Sequence, residues 1–349
     1  MAEMDLAALH DVATRLVAPG KGVLAADEST GTIKKRFDSI GVESTEDNRR
    51  DYRELLFRSE MAMREHISGV ILFDETIRQD AADGTPLVRL IEEAGSIPGI
   101  KVDQGAKPLA GFPGETITEG LDGLRGRLAE YYALGARFAK WRAVLHIADG
   151  KGGRMPSRTA IRQNAQALAR YAALCQEANI VPIVEPEVLM DGGHDQDTCF
   201  EVTKGMLMEL YRELYDARVK LEGTILKPNM IVPGKKASRQ VSTEEVAEAT
   251  VRCFREAVPS AVPGIVFLSG GQSEVEATRN LHTMNKLYGD SLPWRLSFSY
   301  GRALQASALE AWGGRPENVQ AGRIAFNHRA KMNGLAQQGA WSEAVEAAA

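Results

Sequence analysis

Short apolar segments rich in β-branched residues recur eight times along the chain, and their spacing constrains the fold more than any other feature. They cover residues 22–26, 69–73, 100–102, 138–145, 180–184, 224–226, 264–268 and 294–298. Successive segments begin roughly 30 to 50 residues apart, which leaves room for one helix and two loops rather than for a hairpin turn. Eight such units predict an α/β fold of the closed (β/α)8 type, a TIM barrel.

The stretches between these segments carry helix signals. Ser242 with Glu245 and Ser273 with Glu276 form the capping-box pattern, each followed by apolar residues at helical spacing. Residues 46–66 are highly charged, with apolar residues placed as in one amphipathic helix.

Nothing in the composition resembles a linker between domains. We therefore predict one barrel domain over residues 1–338, with an N-terminal helix, and a flexible C-terminal tail over residues 339–349. The glycine-rich stretch 149–154 is predicted to be a flexible loop after the fourth strand.

Charge and cysteine content exclude several classes of protein. A net charge of −5 and a pI near 5.8 argue against a general binder of nucleic acids. Three widely spaced cysteines without a C-x-x-C motif favour reduced thiols over a disulfide framework. No apolar run is long enough to span a bilayer, and residues 1–5 are acidic where a signal peptide is basic. We expect a cytoplasmic protein with no membrane or nucleic-acid partner.

Lys227 stands at the end of the short β-rich segment 224–226. Pro228 follows it, disfavours helical geometry for the lysine and has no N–H with which to extend a strand. The strand therefore stops with its amine at a rim. Because a free lysine side chain has a pKa of about 10.4, a lysine nucleophile needs burial or a neighbouring cation to lose its proton.

Polar residues at the ends of the predicted strands come in pairs spaced two apart, which places both members on one face. The pairs are Lys101 with Asp103, Lys140 with Arg142, Glu185 with Glu187, and Lys227 with Asn229. A single such pair is usually just hydrated, but four pairs on a fold that collects strand ends at one mouth indicate an active site. The residues expected there are Asp27, Lys101, Asp103, Lys140, Arg142, Glu185, Glu187 and Lys227.

Two further strand ends are typical of anion sites. Residues 269–273 contain a Gly-Gly turn and lead into a capped helix, and residues 299–302 contain Gly301 and Arg302 at the start of another. Glycine permits close backbone approach, helix N-termini offer free N–H groups, and arginine adds a bidentate donor. The loops after strands 7 and 8 are the usual phosphate site of such barrels.

A metal site is not expected, because the six histidines show no H-x-H or H-E-x-x-H spacing. His146 and His194, near strand ends, are the remaining candidates. A serine-hydrolase elbow, G-x-S-x-G, does not occur.

Seven stretches of the chain resemble, in order, the motifs of the class I (Schiff-base) fructose-1,6-bisphosphate aldolases. They are LAADESTG (24–31), IKVD (100–103), FAKWR (138–142), VEPE (184–187), LKPNM (226–230), FLSGGQS (267–273) and SYGRALQ (299–305). The resemblance runs from about Leu16 to Asn333. It implies a barrel that cleaves fructose 1,6-bisphosphate reversibly into dihydroxyacetone phosphate and glyceraldehyde 3-phosphate, without a metal or other cofactor, and a homotetramer.

The resemblance also implies roles for individual residues. Lys227 is the Schiff-base lysine, Lys140 a neighbouring cation, and Glu185 the group that shuttles protons. Glu187 orients Glu185 and keeps Lys140 charged, and Asp27 accepts the proton of the C4 hydroxyl. The substrate-binding residues are Ser269, Gly270, Gly301 and Arg302 for the C1 phosphate and Ser29, Thr32, Lys35, Lys101 and Arg142 toward the C6 phosphate.

Thr32, His146 and the stretch 149–154 depart from the family pattern on the C6-phosphate side, which leaves open the preference between bisphosphate and monophosphate ketoses. Two other functions fit part of this pattern. A transaldolase-like or other Schiff-base aldolase on the same fold would share the lysine but not need two phosphate sites. A catalytically vestigial binding protein, for cytoskeletal or other partners, would not need the four intact residues Lys227, Glu185, Lys140 and Asp27.

The C-terminus lacks a tyrosine that animal members of the family use to exchange a proton at C3. No tyrosine follows Tyr300, and Trp341 has no useful acid–base chemistry near neutrality. We expect little to hold Glu343 and Glu346 against the barrel, and hence that Glu187, or a water that it orders, supplies this proton.

Overall fold

Eight parallel strands close into a barrel in the computed structural model of this chain, which describes residues 4–150 and 153–348 and, at 149, 150, 153 and 154, the backbone alone. Each strand pairs with the next in sequence, and the last pairs with the first. The predicted TIM-barrel fold is confirmed. The strands are β1 (Gly22–Ala26), β2 (Ile67–Leu72), β3 (Ile97–Lys101), β4 (Phe138–Leu145), β5 (Val181–Val188), β6 (Ile225–Leu226), β7 (Gly264–Phe267) and β8 (Arg295–Tyr300).

Helices surround the barrel and connect its strands. Those in the described residues are α1 (Leu6–Leu16), α2 (Thr30–Asp38), α3 (Glu46–Phe57), α4 (Asp74–Ile77), α5 (Leu87–Glu93), α6 (Leu124–Ala133), α7 (Arg158–Glu177), α8 (Gln196–Asp216), α9 (Thr243–Ala257), α10 (Glu274–Tyr288), α11 (Arg302–Trp312), α12 (Val319–Gln337) and α13 (Glu343–Ala347). Short helical turns lie at Ala62–His66, Leu221–Gly223, Gly289–Ser291 and Pro316–Asn318, and a small hairpin joins Ala106–Pro108 to Thr116–Thr118.

Local sequence signals set several of these boundaries. Both predicted capping boxes are present, at the N-termini of α9 and α10. The single helix predicted over 46–66 was wrong: α3 ends at Phe57, and a separate π-helical turn covers Ala62–His66. The hydroxyl of Ser59 donates to the Leu55 carbonyl at 2.9 Å, and this local bond competes with continuation of the helix.

The stretch 149–154 also differs from the expectation. Strands Ala148–Gly150 and Gly153–Met155 form an antiparallel hairpin there. The prediction of a flexible loop therefore applies at most to residues 151 and 152, which lie outside the described residues.

Helix α1 closes the amino-terminal end of the barrel. Leu9, Ala13 and Leu16 are at most 2% exposed, and they pack with inward-facing residues of the strands in a cluster separate from the larger core between strands and helices. Burying side chains of this size contributes about 1.5–3 kcal/mol for each leucine. The plug leaves the carboxyl ends of the strands as the open end.

The C-terminal segment is packed more closely than expected. Trp341 is 5% exposed, and its indole N–H donates to the Glu346 carboxylate at 2.8 Å. Glu346 also pairs with Arg329 of α12, and Glu343 pairs with Arg279 of α10 at 2.8 Å. The expectation that little holds this segment overlooked one buried tryptophan and two arginines that are distant in sequence. The domain boundary at residue 338 stays a prediction.

The structure also bears on membrane-spanning helices and on the cysteines. No helix among the described residues is long and apolar enough to cross a membrane. Cys175, Cys199 and Cys253 are free and buried.

Glycine in the barrel strands makes room for Phe138, a fully buried side chain of β4. A Cβ added to Gly99 would lie 2.3 Å from the Phe138 ring, closer than two carbon atoms can approach. A Cβ added to Gly205, in the middle of α8, would meet nothing within 4 Å.

We therefore predict opposite effects of the same substitution at these two positions. Gly99→Ala should lower the free energy of unfolding by about 1–3 kcal/mol because the barrel is overpacked. Gly205→Ala should raise it by about 0.5–1 kcal/mol because alanine favours helix. Urea unfolding followed by circular dichroism measures both, and equal effects would contradict the packing role of Gly99.

Candidate active site

A cavity of about 710 Å³ opens at the carboxyl ends of the strands. All fourteen residues predicted to act in catalysis or substrate binding line it, and the structure thus brings them together. They are Asp27, Ser29, Thr32, Lys35, Lys101, Lys140, Arg142, Glu185, Glu187, Lys227, Ser269, Gly270, Gly301 and Arg302.

Strand geometry aims the central side chains into this cavity. Lys140 and Arg142 are two residues apart in β4, and Glu185 and Glu187 are two residues apart in β5. Because successive side chains of a strand point to opposite faces, the two members of each pair share the inward face. β5 extends to Val188, beyond the predicted 180–184, and both glutamates therefore lie within regular strand.

Lys227 follows the last residue of β6. Its backbone N–H still donates to the Val184 carbonyl at 2.8 Å, and Pro228 then offers no donor with which to continue the ladder. Its amine lies 3.2 Å from Oε1 of Glu185. Lys227 and Glu185 are each 4% exposed, so the contact is screened very little by solvent.

Lys140 is surrounded by three carboxylates. Its Nζ lies 2.8 Å from Asp27, 3.3 Å from Oε2 of Glu185 and 3.9 Å from Asp103. Glu185 therefore bridges the two buried lysines, with one oxygen directed at each. This arrangement places a proton acceptor, Glu185, beside the Lys227 amine and a positive charge, Lys140, on the other side of that acceptor.

The charges of this cluster shift its pKa values. Burial alone would raise the pKa of Asp27, but the charges of Lys140 and Lys227 outweigh burial and lower that pKa to about 2. Burial alone would lower the pKa of Lys140, but Asp27, Glu185 and Asp103 outweigh it and raise the pKa above its usual value. Asp27 is therefore an anion and Lys140 a cation at neutral pH.

One end of the cavity is formed by the loops after β7 and β8. Ser269 is buried, Gly270 and Gly271 have positive φ angles of 58° and 95°, and Arg302 begins α11. Such φ angles are available to glycine at little cost. This end offers backbone N–H groups, a hydroxyl and a guanidinium, which together suit a phosphate group.

The loops after β1 and β3 bring a different set of groups to the cavity. Ser29 and Thr32 hydroxyls lie 3.1 Å apart at the start of α2, and Lys35 is exposed one turn later. The Lys101 amine is held by the carboxylate and the carbonyl of Asp103, at 2.6 and 2.8 Å.

Two sequence expectations about orientation were wrong. Asn229 does not line the cavity: its amide oxygen accepts the Val188 N–H at 2.9 Å and its amide nitrogen donates to Thr203 at 3.2 Å. The alternation fails because β6 ends before Pro228. Glu187 pairs with Arg142 rather than with Lys140, whose charge is held by other carboxylates.

Sequence reasoning missed several residues that line the cavity: Glu28, Arg36, Asp191 and Lys235. Arg36 pairs with the buried Glu28 and lies beside Gly301. A second basic residue directly after Lys35 on α2 was the available signal for Arg36. Lys235 lies in a loop, where no periodicity marks it.

His146 and His194 are the two histidines that the sequence leaves as candidate metal ligands. Among the described residues, no group of three or more His, Cys, Asp or Glu side chains is arranged to hold a metal ion. Both ring nitrogens of His194 are buried without a hydrogen-bond partner in the described part of the chain, and burial lowers the pKa of this imidazole. His146 is half-buried just after β4.

Comparison with known proteins assigns the chain to a family. The model of the class-I fructose-bisphosphate aldolases matches residues 8–349. The chain belongs to this family.

Similarity to individual members extends over nearly the whole chain. A probable class 1 fructose-bisphosphate aldolase of Xanthomonas campestris pv. campestris is 56% identical, covering 97% of this chain and 99% of its own length. Fructose-bisphosphate aldolase C of Rattus norvegicus is 56% identical over 95% of this chain and 90% of its own length. A solved structure of the Plasmodium falciparum fructose-bisphosphate aldolase, with TRAP and a small-molecule inhibitor, matches with a TM-score of 0.93 and 48% identity, over 97% of this chain and 96% of that chain.

The lowered pKa of Asp27 predicts a pH dependence of stability. An aspartate in the unfolded chain titrates near 3.9, so the folded protein binds fewer protons at this site between that value and about 2. The stabilising contribution is therefore complete above roughly pH 4 and is lost as the pH falls through about 2.

The expected loss for Asp27 is about 2 kcal/mol. In denaturant unfolding at a series of pH values, Asp27→Asn should lose less stability than wild type from about pH 5 to about pH 2. Asp38→Asn, at an aspartate whose side chain is 53% exposed, should follow the wild-type curve. Parallel curves for wild type and Asp27→Asn would contradict the lowered pKa.

Proposed function

We propose that this chain catalyses the reversible cleavage of fructose 1,6-bisphosphate into dihydroxyacetone phosphate and glyceraldehyde 3-phosphate, in glycolysis and gluconeogenesis, through a Schiff base on Lys227. The observation that carries the proposal is the contact between the buried Lys227 amine and Glu185, which is shared with Lys140, in a chain of the class-I fructose-bisphosphate aldolase family. The reaction needs no metal or other cofactor, because the iminium serves as the electron sink.

Schiff-base formation begins with attack of the Lys227 amine on the C2 carbonyl of the open-chain ketose. Glu185, 3.2 Å away, takes a proton from the attacking nitrogen and passes it to the C2 oxygen, which gives the neutral carbinolamine. A second proton, taken up from water and delivered by Glu185, lets the hydroxyl leave as water and gives the iminium. Lys140, a cation at neutral pH, lies 3.3 Å from the other oxygen of Glu185 and holds this carboxylate in place for the proton transfer.

Carbon–carbon cleavage is assigned to Asp27. Its carboxylate takes the proton of the C4 hydroxyl, the C3–C4 bond breaks, and the electron pair moves into the iminium to give an enamine. The pKa of about 2 keeps Asp27 ionised for this role at neutral pH. Glyceraldehyde 3-phosphate leaves, Glu187 or a water that it orders returns a proton to C3, and water then releases dihydroxyacetone phosphate from Lys227.

The two phosphates are assigned to two different sets of residues in the cavity. The C1 phosphate lies against the loops after β7 and β8, where Ser269, Gly270, Gly301 and Arg302 offer donors. The C6 phosphate lies toward Ser29, Thr32, Lys35, Lys101 and Arg142. The residues assigned to the C6 phosphate then determine the preference between fructose 1,6-bisphosphate and fructose 1-phosphate.

We further propose a cytoplasmic homotetramer. An Arabidopsis thaliana relative that is 57% identical over 93% of this chain and 88% of its own length is named a cytosolic fructose-bisphosphate aldolase. On the outer face of α8, Met208 is 58% exposed and Tyr215 is 82% exposed, which suits a surface that another subunit covers. Light scattering at several protein concentrations measures the number of subunits.

The Schiff base predicts a covalent adduct at one residue. Borohydride reduction in the presence of dihydroxyacetone phosphate should add one substrate mass to Lys227, located by peptide mass spectrometry, and EDTA should not change the cleavage rate. The variant Lys236→Met, at a lysine that does not line the cavity, is the control, and it should still form the adduct on Lys227. An adduct on Lys140 or Lys101, or activity that EDTA removes and zinc restores, would overturn the mechanism.

Substitutions in the two sets of residues should separate the two phosphates. Arg302→Ala removes a charge-assisted contact worth about 1.5–3 kcal/mol and should weaken fructose 1,6-bisphosphate and fructose 1-phosphate alike. Lys101→Ala should weaken the bisphosphate selectively. Steady-state kinetics with both substrates decide the matter, and an equal effect of the two variants on fructose 1-phosphate would refute the assignment of the two phosphates.

A further inference from the structure

Two positively charged groups meet at Gly271, in the loop after β7. A Cβ added to Gly271 would lie 2.7 Å from Nζ of Lys235 and 3.2 Å from a terminal nitrogen of Arg302. The charged groups of Lys235 and Arg302 therefore both lie beside Gly271, and both residues line the cavity. Glycine at this position leaves room for the lysine amine to lie against the loop.

In the described part of the chain, no carboxylate lies close enough to neutralise this pair of cations. Among the side chains that the structure describes, neither Lys235 nor Arg302 lies within 4.0 Å of an acidic group. The other acidic groups lining the cavity, apart from Asp191, already pair elsewhere: Asp27 and Glu185 with Lys140, Glu187 with Arg142, and Glu28 with Arg36. Like charges in close proximity repel each other, so an anion placed beside both of them would be bound favourably.

The backbone around Lys235 is fixed by the loop that follows β5. The N–H of Gly234 donates to His194 at 2.8 Å, that of Lys235 to Met190 at 2.7 Å, and that of Lys236 to Gly192 at 3.0 Å. A Cβ on Gly234 would lie 2.1 Å from the Gly192 carbonyl oxygen, so glycine permits this close contact. The lysine side chain therefore extends from an anchored loop.

We infer that Lys235 is a second cation for the C1 phosphate of the substrate, acting together with Arg302 beside Gly271. This inference rests on the proposed function, which places that phosphate against the loops after β7 and β8. Two cations and the neighbouring backbone N–H groups match a phosphate monoester, which carries between about one and a half and two negative charges at neutral pH. Lys235 binds substrate and takes no part in proton transfer.

The test compares Lys235→Met with Lys236→Met, the neighbouring exposed lysine outside the cavity. We expect Lys235→Met to raise KM for fructose 1,6-bisphosphate and for fructose 1-phosphate at least about fivefold, with kcat changed less than about twofold, as loss of a ground-state contact requires. Lys235→Arg should restore most of the affinity, and Lys236→Met should resemble wild type.

Unchanged KM in Lys235→Met, or an equal rise in Lys236→Met, would overturn the inference. An effect on the bisphosphate alone would also overturn it, because Lys235 would then serve the other phosphate. A binding measurement separates this outcome from failure of the proposed function. Calorimetry with dihydroxyacetone phosphate on Lys227→Met, with and without Lys235→Met, reports the phosphate contact without any Schiff base, and equal affinities would refute it.

Discussion

The buried ammonium of Lys140 is the charge on which the rest of the site depends. Asp27, Asp103 and Glu185 are all directed at it, and without it three carboxylates would face one another in a region from which water is largely excluded. Leaving buried charges without a partner costs several kcal/mol. Lys140 therefore stabilises this mouth of the barrel and, in the same contacts, keeps Asp27 ionised.

This cluster exists because the barrel is closed and parallel. Asp27 and Asp103 come just after the carboxyl ends of β1 and β3, Lys140 and Glu185 lie within β4 and β5, and no two of these residues are adjacent in the sequence. Parallel strands place those ends at one level, and their period of two directs alternate side chains inward. Helix α1 fills the other end with apolar side chains, so the polar residues are confined to a single mouth.

Much of this site could be predicted from the sequence because it obeys that period. Lys140 with Arg142 and Glu185 with Glu187 are spaced two apart inside strands, and they share a face as expected. Asn229 fails the same rule because its strand ends at Leu226. Lys235 and the partners of Glu346 carry no periodic signal, since an anchored loop and contacts between distant helices arise from tertiary packing. The break after Phe57 likewise depends on one local hydroxyl bond, which competes with a sequence of good helix-forming residues.

Because α1 closes one end of the barrel, small molecules enter and leave the cavity at the other end. A chamber sealed at its floor exchanges water, substrate and both products through one opening. If the ketose half is tethered to Lys227, deep in the chamber, the aldehyde half stands between it and solvent. The order of departure is then imposed by the architecture: the aldehyde vacates the mouth first, and the water that hydrolyses the tether enters along the path that the aldehyde has cleared.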